Sequence, residues 1–305
     1  MFELDPEAFD ASAGLPALSE HLPLNGLFAD ADALETLATN LIENRQYQQA
    51  YAVITRLTDW YPSTSTGWFL KGLVLNVFHK PAEAREAFRH HLTLNPMDAD
   101  SMVQIGLTYE KSGFPAEAQI AYETAMEAQP DHGEACFYLG WLLEKQGIFE
   151  EAITYLKRCV RLMPEHPDAW HEMGYCYEML GKDACSLYCY ENQLNLNPYA
   201  HLSWYNQGIV LSRLGRYEEA LKAYDFAVLI EDHFNAAWYN RGNCLIRLGK
   251  IEEAAASYQE ALSLEPQDAA TLYNLALALR QLGQTAEADL YLQTATRLNP
   301  SLLRR

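Results

Sequence analysis

Basic residues are scarce in this sequence. It carries 22 Lys and Arg against 41 Asp and Glu, a net charge of −19, and the first cation is Arg45. By thirds the charge runs −8, −9 and −2. Binding to nucleic acid through phosphates needs clustered cations, so no nucleic-acid partner is expected. The field suits solubility or a basic partner. Long apolar runs are also missing: none approaches the roughly 18 residues of a membrane span, so no membrane partner is expected. The start holds Glu3, Asp5, Glu7 and Asp10, the opposite of the basic start of a secretory leader. Six cysteines without a paired spacing scheme fit a reducing compartment, with the cytoplasm as the expected location.

The motifs of common catalytic sites are absent as well. There is no Gly-rich phosphate loop and no G-x-S-x-G. His171-Glu172 opens like a zinc-protease motif, but Tyr175 stands where the second His is needed. Cys176, Cys185 and Cys189 lack the tight C-x-x-C pairs of structural zinc. They read as small buried residues, and His132 and His166 read as turn residues. No catalytic residue, cofactor or metal is expected.

What the sequence has is repetition. Pro62, Pro96, Pro130, Pro164 and Pro198 fall 34 residues apart, Asp232 takes the next slot, and Pro266 and Pro300 resume the series. Gly72, Gly106, Gly140, Gly174, Gly208 and Gly242 share the period. So do Trp68, Trp170, Trp204 and Trp238, the alanines from Ala84 to Ala288, and Phe88, Tyr122, Tyr190, Tyr224 and Tyr258. Between each Trp and a mid-repeat Gly (Gly113, Gly147, Gly181, Gly215, Gly249, Gly283) apolar residues recur at helical spacing. That second Gly suits a helix C-terminus with positive φ. A second helical pattern follows, and Pro ends it. The internal Gly and the Ala allow two antiparallel helices to approach, with aromatics filling the space around the contact. Asp168 is placed to cap the helix starting near Ala169.

These marks resemble the tetratricopeptide repeat family, as in "WYNQGIVLSRLGRYEEALKAYDFAV". The resemblance covers eight units: 31–64, 65–98, 99–132, 133–166, 167–200, 201–234, 235–268 and 269–302. It implies an all-α, right-handed α-solenoid whose stability is a sum over neighbouring repeats. His91, Ser186 and Gln193 depart from the small residues usual at their places, and local packing is in question there. Residues 1–30 lie outside the repeat and mix acids with Phe2, Leu4, Phe9 and Phe28. They read as a cap on the first repeat, with an extended segment lying in the array's own groove as the alternative. Residues 303–305 form a short tail. The last helix carries Gln284, Glu287, Asp289 and Gln293, which predicts a polar outer face.

The resemblance also implies where a partner sits. In this family the first helix of each pair lines a concave surface that grips a peptide or protein segment. The inward positions hold Phe69, Leu73, Val103, Leu107, Phe137, Trp141, His171, Tyr175, Tyr205, Ile209, Tyr239, Asn243, Tyr273 and Leu277. Exposed aromatics there are the usual anchors of a peptide groove. Asp100, Glu110, Glu134, Glu144, Asp168, Glu172 and Glu178 make the middle acidic; Arg213, Arg247 and Arg280 make the later repeats basic. An acidic, apolar middle suits a segment with Lys or Arg beside hydrophobic residues. Asn206, Asn240 and Asn274 recur at one register, and an amide can donate to and accept from a peptide backbone at once. The Lys/Asn carboxylate clamp of chaperone-binding members has no counterpart. The function implied is a non-enzymatic adaptor or scaffold. The alternative is a structural protein that self-associates through array ends or its outer face.

Overall fold

The computed structural model describes backbone for residues 30–304 and side chains for 30–302. The expected cap over residues 1–30 therefore lies, Asp30 apart, outside the described residues. Among those described there are sixteen α-helices and no strands. They fall into two compact units divided between Gln146 and Gly147.

The first unit holds α1 (Ala31–Glu43), α2 (Tyr47–Trp60), α3 (Ser65–Val77), α4 (Pro81–Leu94), α5 (Ala99–Lys111), α6 (Pro115–Ala128) and α7 (Gly133–Lys145). The second holds α8 (Phe149–Leu162), α9 (Pro167–Met179), α10 (Asp183–Leu196), α11 (His201–Arg213), α12 (Tyr217–Ile230), α13 (Asn235–Arg247), α14 (Ile251–Leu264), α15 (Ala269–Gln281) and α16 (Thr285–Leu298). A short 3₁₀ turn, Pro300–Arg304, follows. Within each unit a helix packs on its hairpin partner and on the next hairpin. The core is correspondingly a chain of local clusters around Phe88, Tyr224 and Tyr258.

The hairpin turns follow from one conformation. Gly113, Gly181, Gly215, Gly249 and Gly283 have φ between +66° and +79°. In the turn at Gly181 its N–H reaches Glu178 O, and Lys182 N–H reaches Tyr177 O at 2.8 Å. Two side-chain-bearing residues, Arg45 and His79, are held at φ 57° and 54° in the same register. A Cβ in that region costs on the order of 1 kcal/mol. His79→Gly is therefore expected to stabilise the protein by about 0.5–1 kcal/mol, read as a raised urea midpoint with unchanged slope.

The long-period glycines have a different task. A Cβ built on Gly106 would lie 2.3 Å from the Tyr122 ring, and on Gly208 it would lie 2.6 Å from Tyr224. Gly72, Gly174 and Gly242 are covered the same way by Phe88, Tyr190 and Tyr258. The glycine thus seats the ring of the second helix directly on the first helix's backbone. The tryptophans hold the next turn. Trp68, Trp170 and Trp204 donate their indole N–H to the carbonyls of Pro62, Pro164 and Pro198 at 2.9 Å, and Trp238 does so to Asp232. A carbonyl is all this bond needs, which is why Asp232 replaces Pro without altering the turn.

The cap of α9 is His166, not Asp168. His166 Nδ1 accepts from Ala169 N–H, and His132 Nδ1 does the same for Ala135. A capping residue needs extended φ/ψ just before the helix; His166 has φ −84° and ψ 99°, while Asp168 already lies inside α9. With Nδ1 accepting, Nε2 of His132 carries the proton and donates to Asp100 at 3.0 Å. All six cysteines are thiols, five buried and Cys185 exposed. Gln284, just before α16, and Glu287, Asp289 and Gln293 on it are exposed as the sequence predicts, with Leu290 exposed among them.

Of the three departures, His91 is accommodated by charge. It is buried, its Nδ1–H donates to Ser65 O at 2.8 Å, and its Nε2 lies 3.3 Å from Asp98. Burial alone would push its pKa down; Asp98 and the Ser65 carbonyl together leave it raised. His91 in turn holds Asp98 down to about 2. The pair's contribution from Asp98 is present above about pH 4 and fades as pH falls toward 2. The contribution from His91 is present below about pH 6.5 and fades as pH rises through its raised value. Asp98→Asn keeps a capping side chain for α5 but removes the charge. It is expected to cost about 1–2 kcal/mol between pH 4 and 6.5, and less on either side, in urea titrations across pH. Ser186 and Gln193 are also buried, and Gln193 Oε1 has no hydrogen-bond partner.

Candidate functional site on the first helices

The first helices of neighbouring repeats adjoin, α1, α3, α5 and α7 in one unit and α9, α11 and α13 in the other. The predicted contact residues sit on these helices at unequal depth. Leu73 and Phe137 are core, 5% and 8% exposed. Phe69, Trp141, His171, Tyr175, Tyr205, Tyr239 and Tyr273 are half-buried, as are Glu178, Asn206, Asn240, Asn243 and Asn274; Arg213 and Arg247 are exposed. Phe69 rests on Phe88 and His91, Phe137 stacks with Trp141, and Tyr175 meets Phe149 edge-on. His171 Nδ1 bonds the hydroxyl of Ser203, and its ring lies against Tyr190. Burial lowers its pKa, so the imidazole is neutral at neutral pH.

The second unit draws five of the predicted residues into one network. Asn240 Nδ2 donates to Tyr205 OH at 3.1 Å, and one repeat later Asn274 Nδ2 donates to Tyr239 OH at 3.2 Å. Asn274 also reaches Asn243 Oδ1 at 3.0 Å, which accepts from Tyr258 OH at 2.8 Å. Each Asn–Tyr bond spans 35 residues and ties adjacent repeats. Asn274 thus spends both amide hydrogens on the scaffold, while Asn240 spends one and keeps a second for a ligand.

Acidic residues of the middle repeats are engaged in a way that residue positions alone did not disclose. The buried Tyr122 passes its hydroxyl through to Glu110 Oε2 at 3.2 Å, and Lys145 of the next repeat grips Oε1 at 2.8 Å. Lys145 also lies over the Trp141 ring. In the second unit Tyr190 OH donates to Glu178 at 3.1 Å, and Arg213 stands 3.7 Å away on its far side. Arg213 is held by Asp183 at 2.6 Å. Burial raises the Glu178 pKa against the pull of Tyr190 and Arg213. Asp100 meets His132, and burial likewise raises Glu144. Glu110 and Glu178 are therefore internally compensated, which weakens the expectation that this surface selects Lys or Arg. The signal was present: a Tyr twelve residues after the Glu and a cation 35 after it, in repeats three and five.

The tetratricopeptide repeat family model matches residues 35–99, 103–169, 205–269 and 245–302. The chain belongs to the tetratricopeptide repeat (TPR) family. No curated protein matches the sequence. Among solved structures, a crystal structure of MamA is 25% identical, with TM-score 0.52, over 53% of this chain and 95% of that one. The C-terminal part of a TPR protein from Cytophaga hutchinsonii is 15% identical, with TM-score 0.64, over 79% and 99%. YrrB, described as a TPR protein with an unusual peptide-binding site, is 22% identical, with TM-score 0.52, over 60% and 95%. The last two show likeness of fold alone. No helix among the described residues of this TPR protein is long and apolar enough to cross a membrane.

Among those residues, one triad could hold a metal by proximity: Glu231, Asp232 and His233, in the turn before α13. His233 and Asp232 are highly exposed and bond each other, so the triad reads as turn chemistry. Cys176 and Cys189 are buried and burial pushes the Cys189 thiol up to about 12, which makes it a poor metal ligand at neutral pH.

Proposed function

We propose that this TPR protein is a non-enzymatic adaptor that holds an extended segment of a partner protein against the first-helix faces of its repeats. The observation that carries the reading is the Tyr–Asn face of the second unit. Tyr205, Tyr239 and Tyr273 remain half-buried on first helices, and Asn240 and Asn274 fix the first two in direction. Rigid aromatics with little rotamer freedom to lose are efficient anchors, and the second amide hydrogen of Asn240 suits a peptide backbone. YrrB is a neighbour described by its peptide-binding site, which is consistent with such use. Micromolar affinity, about −8 kcal/mol, is the expected strength for a transient partner.

The test is partner capture with the full chain, followed by Tyr205→Ala and Tyr239→Ala. Each is expected to weaken a captured segment about tenfold or more while leaving the helical circular dichroism signal in place. A partner that binds both variants as tightly as the unaltered protein would put the contact surface elsewhere.

A further inference from the structure

The Glu–Tyr–cation circuit occurs complete in repeats three and five and incomplete in repeat six. In repeat five Tyr190 OH, Glu178 and Arg213 follow one another, and Asp183 supplies Arg213 with a second anion. One repeat later the same register holds Tyr224, Ser212, Arg247 and Tyr217. Tyr224 OH, buried beneath Gly208, meets Ser212 Oγ at 3.3 Å where Tyr190 meets a carboxylate. Both anions that hold Arg213 are thus replaced by hydroxyl-bearing residues, while the arginine remains.

Arg247 differs from the other arginines on these first helices. Arg213, Arg241 and Arg280 are each tied to an aspartate at 2.6–2.7 Å. Arg247 is exposed and has no ion pair or hydrogen bond among the described residues. A guanidinium presents two parallel N–H groups to a carboxylate, and Ser212 adds a hydroxyl that can donate. Ser212 stands at the register where Glu110 and Glu178 supply a carboxylate from their own chain.

We propose that Ser212 and Arg247 form an anion subsite that receives a carboxylate of the bound segment. The partner segment then carries Asp, Glu or its own C-terminus at this point, beside the aromatic contacts to Tyr205 and Tyr239. This rests on the first-helix face being the peptide-binding surface.

The experiment selects displayed random twelve-residue segments on the full chain, once embedded between linkers and once with a free C-terminus. Segments chosen by the unaltered protein are expected to share an acidic residue at one register in the embedded format. If the free terminus is the anion source, enrichment occurs in the second format instead. Arg247→Glu is expected to reverse the preference to Lys or Arg. Ser212→Glu, which supplies the carboxylate from within, is expected to abolish the acidic preference and leave the apolar positions of the selected pattern intact. It should also raise the melting temperature slightly, since Tyr224 OH and Arg247 both gain a partner. A selected peptide made synthetically should lose about tenfold in affinity on Arg247→Ala and on its own Glu→Gln. Segments that depend on Tyr239 but show no acidic position and ignore Arg247→Ala would overturn the subsite and leave the binding face standing. Selection that depends on neither Tyr205 nor Tyr239 would overturn the face and the subsite with it.

Discussion

Tyr190→Ala is expected to cost about 4 kcal/mol of unfolding free energy, measured by urea titration. Tyr190 is fully buried, its ring covers Gly174, and its hydroxyl reaches Glu178. Alanine leaves a cavity against bare backbone and removes one of the contacts compensating a half-buried carboxylate. In a repeat array the loss stays close to its origin, because each repeat is stabilised by its neighbours only. Hydrogen exchange should therefore rise first in α9, α10 and α11. Tyr190→Phe removes only the hydroxyl and is expected to cost about 1 kcal/mol, since Arg213 still faces Glu178. Equal losses for the two variants would mean that the hydroxyl–carboxylate bond, rather than ring packing, dominates at this position.

Gly106→Ala carries the second largest effect, and its sign runs against helix propensity. In an ordinary helix interior the change stabilises by about 1 kcal/mol. Here the added carbon would sit 2.3 Å from Tyr122 Cε1, and the ring is fully buried with nowhere to retreat. Overpacking of this kind costs about 1–3 kcal/mol, and we expect 2–3 kcal/mol by urea titration. Tyr122→Leu in the same chain should recover part of that loss, because a leucine can shift where a rigid ring cannot; the sequence itself carries Leu156 at this register in repeat four. A double-mutant cycle should give a coupling of about 1–2 kcal/mol. Additive losses would mean that the glycine serves some purpose other than seating the ring.

Much of the architecture is legible without coordinates because a repeat states every instruction many times over. The 34-residue spacing of Pro, Gly, Trp and Tyr marks helix ends, tight contacts and pair boundaries, and the helices fall at those places. The cap of α9 lies two residues before Asp168; Asp outranks His as a capping residue in general but cannot cap from inside the helix. The contact residues were legible as positions and not as chemistry. Leu73 and Phe137 share the register of Asn243 and Tyr205, yet they are core; depth depends on what the neighbouring helix brings.

The sequence by itself determined the fold class, the helix pairing, the glycine turns and the residues that stand on first helices, because these depend on local spacing along one chain. Tertiary structure alone decided which of those residues are already spoken for. Glu110 and Glu178 are compensated by Tyr hydroxyls from their own repeat and cations from the next. Asn240 and Asn274 are aimed by tyrosines one repeat back. Arg247 lacks the anions that its counterpart Arg213 has. A charge counts toward binding only after its internal partners are subtracted, and the partners from the adjoining repeat lie 35 residues away along the chain, brought into reach by the stacking of one repeat on the next.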